Sequence, residues 1–160
     1  MPPDDRVLPC LLDRLTALAA PNEQGSRMAN ATTLRNYQKS VMRDLSWLFN
    51  AKACLDEEVI AEFPQIGSSV LNFGARDFCG VTASSLDRSE IEQQLTEAIQ
   101  RFEPRIIPST LSVRAVDAPE KAIVHLLTFE ITAEIWATPF PEKVFIKTEL
   151  DLETGQYALR

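Results

Sequence analysis

The hydrophobic period of this sequence changes as the chain passes Pro104. Before that residue, apolar side chains return every three or four positions, a spacing that predicts amphipathic helices. The helical segments are 7–19, 34–49 and 89–102. After it, apolar and polar residues alternate, which predicts half-buried strands. The strand segments are 111–115, 123–135, 143–152 and 157–159. Helices followed by strands predict an α+β fold, with the N-terminal helices packed on one face of a small antiparallel β-sheet formed by the C-terminal half.

Local signals predict where several elements begin and end. Ser89 and Glu92 have the spacing of a capping box, in which each side chain accepts a hydrogen bond from the backbone N–H of the other. Pro104 predicts the end of that helix, because it lacks an N–H and its ring clashes with the preceding turn. Prolines and glycines between 64 and 80 predict a loop-rich segment in which residues 70–73 run extended. Gly155 predicts a tight turn.

The chain divides into two parts on composition. Residues 1–31 are predicted to hold an N-terminal helix and a flexible linker, because 20–31 is rich in Pro, Asn, Gly and Ser and has no period. Residues 32–160 are predicted to form a single α+β domain. The first helix could pack on its own domain or on another protein, and the sequence leaves both possibilities open.

Charge and composition restrict the partners. A net charge of −7 argues against a general nucleic-acid binder. The start of the chain does not resemble a secretory signal, and no run approaches the roughly 18 apolar residues of a membrane span, so we expect a cytoplasmic protein without membrane insertion. The three cysteines are widely spaced and His125 is the one histidine, so we expect reduced thiols, no metal and no cofactor.

Catalytic motifs are missing from the sequence. It contains neither a GxSxG elbow nor a phosphate-binding glycine loop, and His125 falls within a predicted strand. One enzymatic alternative is a glycosidase that uses Glu103 as its acid. A general acid needs a raised pKa, whereas the cation of Arg105 two residues away would lower the pKa of Glu103. We therefore expect a protein that is not an enzyme.

Five stretches occur in an order that resembles one family. They are LLDRLT at 11–16, SVMRDLSWLFN at 40–50, SSVLNFGARDFCG at 68–80, RFEPRI at 101–106 and KTELDLETG at 147–155. Together they resemble the TssE family of type VI secretion baseplate subunits, which is similar to the GPW and gene-25-like wedge proteins of contractile phage tails. The resemblance covers most of the chain, and it leaves a phage-tail wedge protein as an alternative.

The resemblance implies a structural role in a sixfold baseplate at the inner face of the cell envelope. The implied partners are the wedge proteins TssF and TssG, with TssK, and the sheath subunits TssB and TssC. The family provides the platform on which the contractile sheath begins. An older lysozyme label for some members implies the alternative of a peptidoglycan-cleaving glycosidase, which the carboxylate argument does not support.

The resemblance also implies that Glu103, Pro104 and Arg105 dock to the wedge. A residue before proline favours extended backbone, which would place the two charges side by side, about 7 Å apart and available to a partner. The alternative is a helix stop with an internal salt bridge to Arg76 or Asp77.

A second predicted contact is an exposed strand edge, to which another chain could add a strand. Segments 143–152 and 156–159 are the candidates, with Ile146 and Thr148 as the residues to replace by proline. Lys143 and Lys147 would discourage pairing between two copies of this edge while allowing an acidic partner.

Overall fold

The computed structural model describes residues 6–7, 10–19, 32–81, 86–116, 125–137 and 140–160. In chain order the elements are strand β1 (Arg6–Val7), helix α1 (Leu11–Ala19), strand β2 (Thr32–Thr33), helices α2 (Leu34–Asn50), α3 (Glu57–Glu62) and α4 (Arg88–Phe102), and strands β3 (Ser112–Val116), β4 (Leu126–Ile135), β5 (Glu142–Asp151) and β6 (Gln156–Leu159). Short 3₁₀ turns occupy Pro64–Ser68, Val70–Asn72 and Pro108–Thr110.

The C-terminal half forms a four-stranded antiparallel sheet with the order β3-β4-β5-β6. Strands β4 and β5 pair along their whole length, from Leu126 opposite Asp151 to Ile135 opposite Glu142. Alternate side chains of β4 and β5 are buried, because successive residues of a strand point to opposite faces. The predicted α+β class is confirmed.

Helices α2 and α4 supply the other half of the core. Their apolar stripes recur at helical spacing and join the buried face of the sheet in one cluster. The fully buried members include Leu45 of α2, Ile91 and Ile99 of α4, and Phe129 and Ile131 of β4. The predicted helix at 34–49 is confirmed as α2, and the predicted helix end before Pro104 is confirmed as the last residue of α4, Phe102.

The start of α4 differs from the prediction. Asp87, not Ser89, is the N-cap residue, and its Oδ1 accepts hydrogen bonds from Ser89 N at 2.9 Å and from Ser89 Oγ at 2.8 Å. Glu92 does not reach back to the cap, because its Oε1 instead accepts from the N–H of Ala115 in β3 at 2.6 Å. The capping-box prediction was wrong because a sheet donor competes for Glu92, and local spacing cannot reveal that donor.

The N-terminal region also differs. Helix α1 begins at Leu11 rather than at residue 7, and Val7 instead pairs with Thr32 in the two-stranded β1–β2 ladder. The predicted linker at 20–31 lies outside the described residues.

The loop-rich middle segment and the last turn complete the fold. Residues 70–72 form a 3₁₀ turn rather than an extended piece, and Ser69 Oγ accepts from Leu71 N at 3.2 Å at its start. Gly155 has φ 69°, as a tight turn between β5 and β6 requires, and β6 confirms the last predicted strand. In the described part of the chain, no helix is both long enough and apolar enough to cross a membrane.

Candidate functional site: a charged corner and an open sheet edge

The Glu103–Pro104–Arg105 segment is a turn rather than the extended segment that the sequence predicted. Ile106 N donates to Glu103 O at 3.2 Å, which closes a four-residue turn with Pro104 in its second position. Proline favours that position because its ring fixes φ near the value that the turn needs. The turn folds the Arg105 side chain back onto Glu103.

Glu103 and Arg105 form an ion pair inside the fold. Arg105 Nε donates to Glu103 Oε1 at 2.6 Å, and Arg105 Nη2 contacts Glu103 Oε2. Glu103 is 4% exposed. Arg105 also donates to Asp44 Oδ2 at 2.7 Å and to Ser40 Oγ at 3.3 Å, both on α2. The predicted internal alternative named Arg76 and Asp77, but the internal partners of Arg105 are Glu103 itself and two residues of α2.

The ion pairs continue from this corner to the N-terminal helix. Arg43 Nε donates to Asp44 Oδ1 at 2.8 Å, and Arg43 Nη1 contacts Asp13 Oδ1 of α1 at 2.5 Å. The side chains of Glu103, Arg105, Asp44, Arg43 and Asp13 therefore alternate in charge, and we call them the ion-pair chain. It joins the turn after α4 to α2 and α1.

The electrostatics of the ion-pair chain follow from these contacts. Burial alone would lower the pKa of Arg105, but the hydrogen bonds that its guanidinium donates to the carboxylates of Glu103 and Asp44 outweigh it and raise that pKa above its ordinary value. The hydrogen bond from Arg43, followed by that from Cys10, lowers the pKa of Asp13. The charges at the corner thus satisfy one another before any partner arrives.

An apolar groove of about 380 Å³ lies beside the corner. Its lining includes Leu12 of α1, Trp47 and Leu48 of α2, Phe73, and the Glu103–Arg105 turn. Trp47, Phe73 and Pro104 are exposed at its rim. The parts of this corner that a partner can touch are therefore mostly apolar, although the sequence drew attention to its charges.

Ile146 and Thr148 lie in β5, which is an inner strand of the sheet. Both side chains are buried, Ile146 at 1% and Thr148 at 0% exposure, and they face the helices. Residue 146 pairs with Ile131 of β4, and residue 148 pairs with both Phe129 of β4 and Leu159 of β6. Their side chains are part of the core and not of an exposed strand surface.

The other half of β5 does present an open edge. Strand β6 pairs with Thr148–Asp151, and Arg160 exchanges backbone hydrogen bonds with Lys147 at 2.7 and 3.0 Å. Among the described residues, Glu142–Ile146 has no strand on that side. The backbone groups of Lys147 point to the β6 side, so those of Phe145 and Lys143 point the same way, because the direction alternates along a strand. Phe145 itself is 61% exposed.

The outer side of the edge strand β3 is covered, unlike the 142–146 segment of β5. The N–H of Ala115 points away from β4 and is bound by the carboxylate of Glu92 on α4. A helix side chain therefore covers this edge, which is one of the ways in which proteins prevent unwanted strand pairing. The 142–146 segment of β5 has no such cover in the part of the chain that the structure describes.

The structure also brings together three side chains that sequence reasoning did not connect. Ligand-type atoms of His125, Asp151 and Glu153 lie within 4.8 Å of one another. His125 Nδ1 is 3.3 Å from Glu153 Oε1, and Leu152 N donates to His125 O at 2.9 Å. His125 thus lies in the turn before β4, partly exposed, rather than within the strand that the sequence predicted. No spacing in the sequence indicated this cluster, because His125 lies just before β4 whereas Asp151 and Glu153 lie at and after the end of β5.

The fold and these contacts define a class: an α+β domain with helices on one face of a four-stranded meander, a corner closed by ion pairs, and a segment of β5 at 142–146 that no other described strand pairs with on its outer side. A family model described as baseplate wedge protein gp25 matches residues 35–140, which is more than half of the chain. The chain belongs to that family, and the predicted resemblance to gene-25-like baseplate proteins is confirmed.

The family match supports a wedge-like structural role. The matched part contains all of α2 except Leu34, together with α3, α4, β3, β4 and the Glu103–Arg105 turn, whereas α1, β5 and β6 lie outside it. Searches of curated proteins and of solved structures found no significant match to this chain.

Proposed function

We propose that this protein is the TssE-type wedge subunit of a type VI secretion baseplate. In this proposal it is a non-enzymatic cytoplasmic protein, present in sixfold copies at the inner face of the envelope. It docks to TssF and TssG, with TssK, and offers its sheet to the first ring of TssB and TssC sheath subunits. The family match supports the baseplate role, and the order of the five sequence stretches favours the secretion machine over a phage tail.

The observation that carries the sheath part of the proposal is the open edge of β5 at Glu142–Ile146. An extended segment of another chain can add to such an edge through backbone hydrogen bonds, and alternate side chains then give specificity. Phe145 and Phe140 are exposed beside this edge and can cover an added strand. Lys143 and Lys147 flank Phe145 and favour an acidic partner.

The corner contributes to docking in a different way from the one that the sequence predicted. Because the ion pair of Glu103 and Arg105 is satisfied internally, we propose that it fixes the shape of the turn and that the rim of the groove makes the contact. Arg105 O accepts from Trp136 N at 2.9 Å and Ile107 N donates to Glu134 O at 2.8 Å, so the turn is tied to the end of β4. Pro104 and Trp47 are then held as an apolar surface for the wedge partners.

Proline substitutions test the edge. The N–H of Phe145 points to the open side, whereas that of Ile146 points to β4. Phe145→Pro should therefore keep the fold and abolish sheath assembly, because proline is tolerated on an edge where its missing N–H faces solvent. Ile146→Pro should disrupt the sheet itself. The measurements are fluorescent sheath assembly in cells and urea unfolding of the purified protein.

Assembly of normal sheaths by a folded Phe145→Pro protein would contradict the strand-addition proposal. For the corner, a pull-down with TssF, TssG and TssK compares Trp47→Ser with Val59→Ser, which changes an exposed apolar residue on α3. We expect Trp47→Ser to lose the wedge subunits and Val59→Ser to retain them. Equal retention would remove the groove from the proposal and leave the sheet edge unaffected.

A further inference from the structure

The end of the sheet at which β4 begins and β5 ends brings one imidazole and two carboxylates together. One nitrogen or oxygen atom from each of His125, Asp151 and Glu153 lies within 4.8 Å of the other two, and His125 Nδ1 is 3.3 Å from Glu153 Oε1. We call these three side chains the His–carboxylate cluster. Neither the wedge contact nor the strand edge of the proposed function uses them.

Hydrogen bonds hold the backbone on which the cluster is built. Leu152 N donates to His125 O at 2.9 Å, which fixes the residue before β4 beside the end of β5. Leu152 O accepts in turn from Gly80 N at 3.0 Å, and Glu153 N donates to Asp151 Oδ1 at 2.8 Å. The fold therefore sets the positions from which the three side chains start.

The two carboxylates of the cluster have no permanently charged partner. Among the described residues, no lysine or arginine forms an ion pair with Asp151 or Glu153, and the basic group beside them is the imidazole of His125. By contrast, the nearby Glu149 is paired with Arg160 at 3.3 Å. A neutral imidazole brings a nitrogen lone pair and no charge. Two negative charges and a nitrogen donor thus converge on one point, where a cation would satisfy all three.

The distances fit a first-row divalent metal ion. Zn²⁺ binds imidazole nitrogen and carboxylate oxygen tetrahedrally at about 2.0–2.2 Å, which places neighbouring ligand atoms about 3.4 Å apart. The separation of 3.3 Å between His125 Nδ1 and Glu153 Oε1 matches that geometry. The remaining separations are at most 4.8 Å and shorten by rotation of these partly exposed side chains.

The ligand types select the class of ion. Imidazole suits zinc and the neighbouring transition metals, whereas Mg²⁺ and Ca²⁺ take oxygen ligands. Three protein ligands leave the fourth tetrahedral position to water. We expected no metal because the chain has one histidine and widely spaced cysteines, but here two carboxylates complete the ligand set.

We propose that the His–carboxylate cluster binds a divalent transition metal ion of the zinc class, with His125, Asp151 and Glu153 as its ligands. The bound ion ties the turn before β4 to the turn between β5 and β6. Asp151 lies at the C-terminal end of β5, about 17 Å along the strand from Ile146. The metal site is therefore separate from the open edge, and its failure would leave the proposed function intact.

Isothermal titration calorimetry of the full chain with zinc chloride, under conditions that keep the thiols reduced, tests the proposal. We expect one zinc ion per chain and no detectable binding of Mg²⁺ at the same concentrations. His125→Gln and Glu153→Gln should each weaken zinc binding at least about tenfold, because even groups that only orient a metal ligand contribute that much. Urea unfolding without metal checks that both variants fold.

Hydrogen exchange gives a second measurement, which reports where the ion binds. The N–H of Leu152 is bonded to His125 O within the cluster, so zinc should slow its exchange severalfold. The N–H of Ala115, at the opposite edge of the sheet, should exchange as before. In His125→Gln, zinc should leave the exchange of Leu152 unchanged.

The main competing ligands are the cysteines, because thiolates also bind zinc. Cys79 is the matched control, since its Sγ lies 3.2 Å from Glu153 O, and Cys79→Ser should bind zinc as the unchanged protein does. Glu62→Gln changes an exposed acid on α3 and should also have no effect. Absence of zinc binding, unchanged binding in His125→Gln, loss of binding in Cys79→Ser, or equal affinity for Mg²⁺ would each overturn the proposal.

Discussion

The charged corner and the outer edge of β5 represent two opposite ways of treating polar groups. At the corner, the carboxylate of Glu103 and the guanidinium of Arg105 are buried and satisfied by each other and by α2. At the edge, the backbone groups of residues 143 and 145 face outward, and Phe145 stands exposed next to them. Charged side chains draw attention in a sequence, yet here it is the backbone of the strand edge that still has N–H and C=O groups available for another chain.

This difference suggests that the corner contributes to the stability of the domain and that the strand edge contributes to binding of another chain. A buried pair whose partners are all internal gives a neighbouring molecule little to bind, and its removal costs folding energy. An edge strand without a partner costs little to the free protein and provides ready donors and acceptors for another chain. We therefore assign the corner to the shape of the domain and the edge to assembly.

The largest predicted effect comes from removing the cation of the corner. Arg105→Ala leaves Glu103 buried without its partner and Asp44 without one of its two, so it should lower the free energy of unfolding by about 3–5 kcal/mol. Arg76→Ala removes an ion pair with Glu90 in which both side chains are at least half exposed, and it should cost less than about 1 kcal/mol. Urea unfolding of both variants measures the two values. If Arg105→Ala lowered the free energy of unfolding as little as Arg76→Ala does, the ion pair of Glu103 and Arg105 would not be a buried one.

A smaller effect is predicted at the covered edge of the sheet. Glu92→Ala removes the acceptor of the Ala115 N–H, a charge-assisted hydrogen bond, and should lower the free energy of unfolding by about 1–3 kcal/mol. Hydrogen exchange at Ala115 should become faster, so that β3 becomes a second open edge. Glu92→Gln keeps an oxygen acceptor and should retain most of the protection. Unchanged exchange in the alanine variant would show that this edge does not depend on Glu92.

The sequence predicted those features of the fold and the site that depend on residues close together in the chain. Helices α2 and α4 and the strands of the meander follow from hydrophobic periods, which depend on neighbours within the same segment. For the same reason, Pro104 correctly predicted the end of α4, and Gly155 correctly predicted the turn between β5 and β6. The class of fold was therefore predictable, and the confirmed family resemblance adds the baseplate role.

The predictions that failed depended on contacts between distant segments. Glu92 bonds to Ala115, 23 residues away, and Arg105 bonds to Asp44, 61 residues away. Neither partner could be chosen from spacing. The side-chain pattern also showed Ile146 and Thr148 to be on one face, but it could not tell that β6 would pair with only half of β5 and leave the other half open.

Thr148 combines a feature of the corner with one of the edge. Its hydroxyl is buried like the ion pair of Glu103 and Arg105, but it lacks a hydrogen-bond partner like the outer backbone groups of β5. Its Oγ1 has no hydrogen bond among the described residues, and the residue is fully buried. Thr148→Val removes that unmet hydroxyl at similar volume and should raise the free energy of unfolding by about 1 kcal/mol. Thr110→Val is the matched control, since Thr110 Oγ1 donates to Ile107 O at 2.8 Å and accepts from Glu134 N at 2.9 Å. It should be destabilising, and a loss of stability in Thr148→Val would mean that its hydroxyl is satisfied.

The smallest predicted effect lies at the outer end of the ion-pair chain and depends on pH. Arg43, then Cys10, lowers the pKa of Asp13 in the folded protein below its ordinary value of 3.8. A carboxyl whose folded pKa is lowered stabilises the fold fully above its unfolded pKa and loses that contribution as the pH falls through the folded pKa. Because both side chains are about a third exposed, the contribution should be below about 1 kcal/mol.

The measurement is the difference in unfolding free energy between the unchanged protein and Asp13→Asn at several pH values. We expect the difference to be constant near neutral pH, to shrink once the pH falls below the ordinary carboxyl pKa of 3.8, and to disappear as the pH falls through the lower folded pKa of Asp13. Added salt should reduce it, because surface ion pairs are screened. A difference that persists in acid would show that the Asp13 contribution is not electrostatic. The buried ion pair of Glu103 and Arg105 would be unaffected by that result.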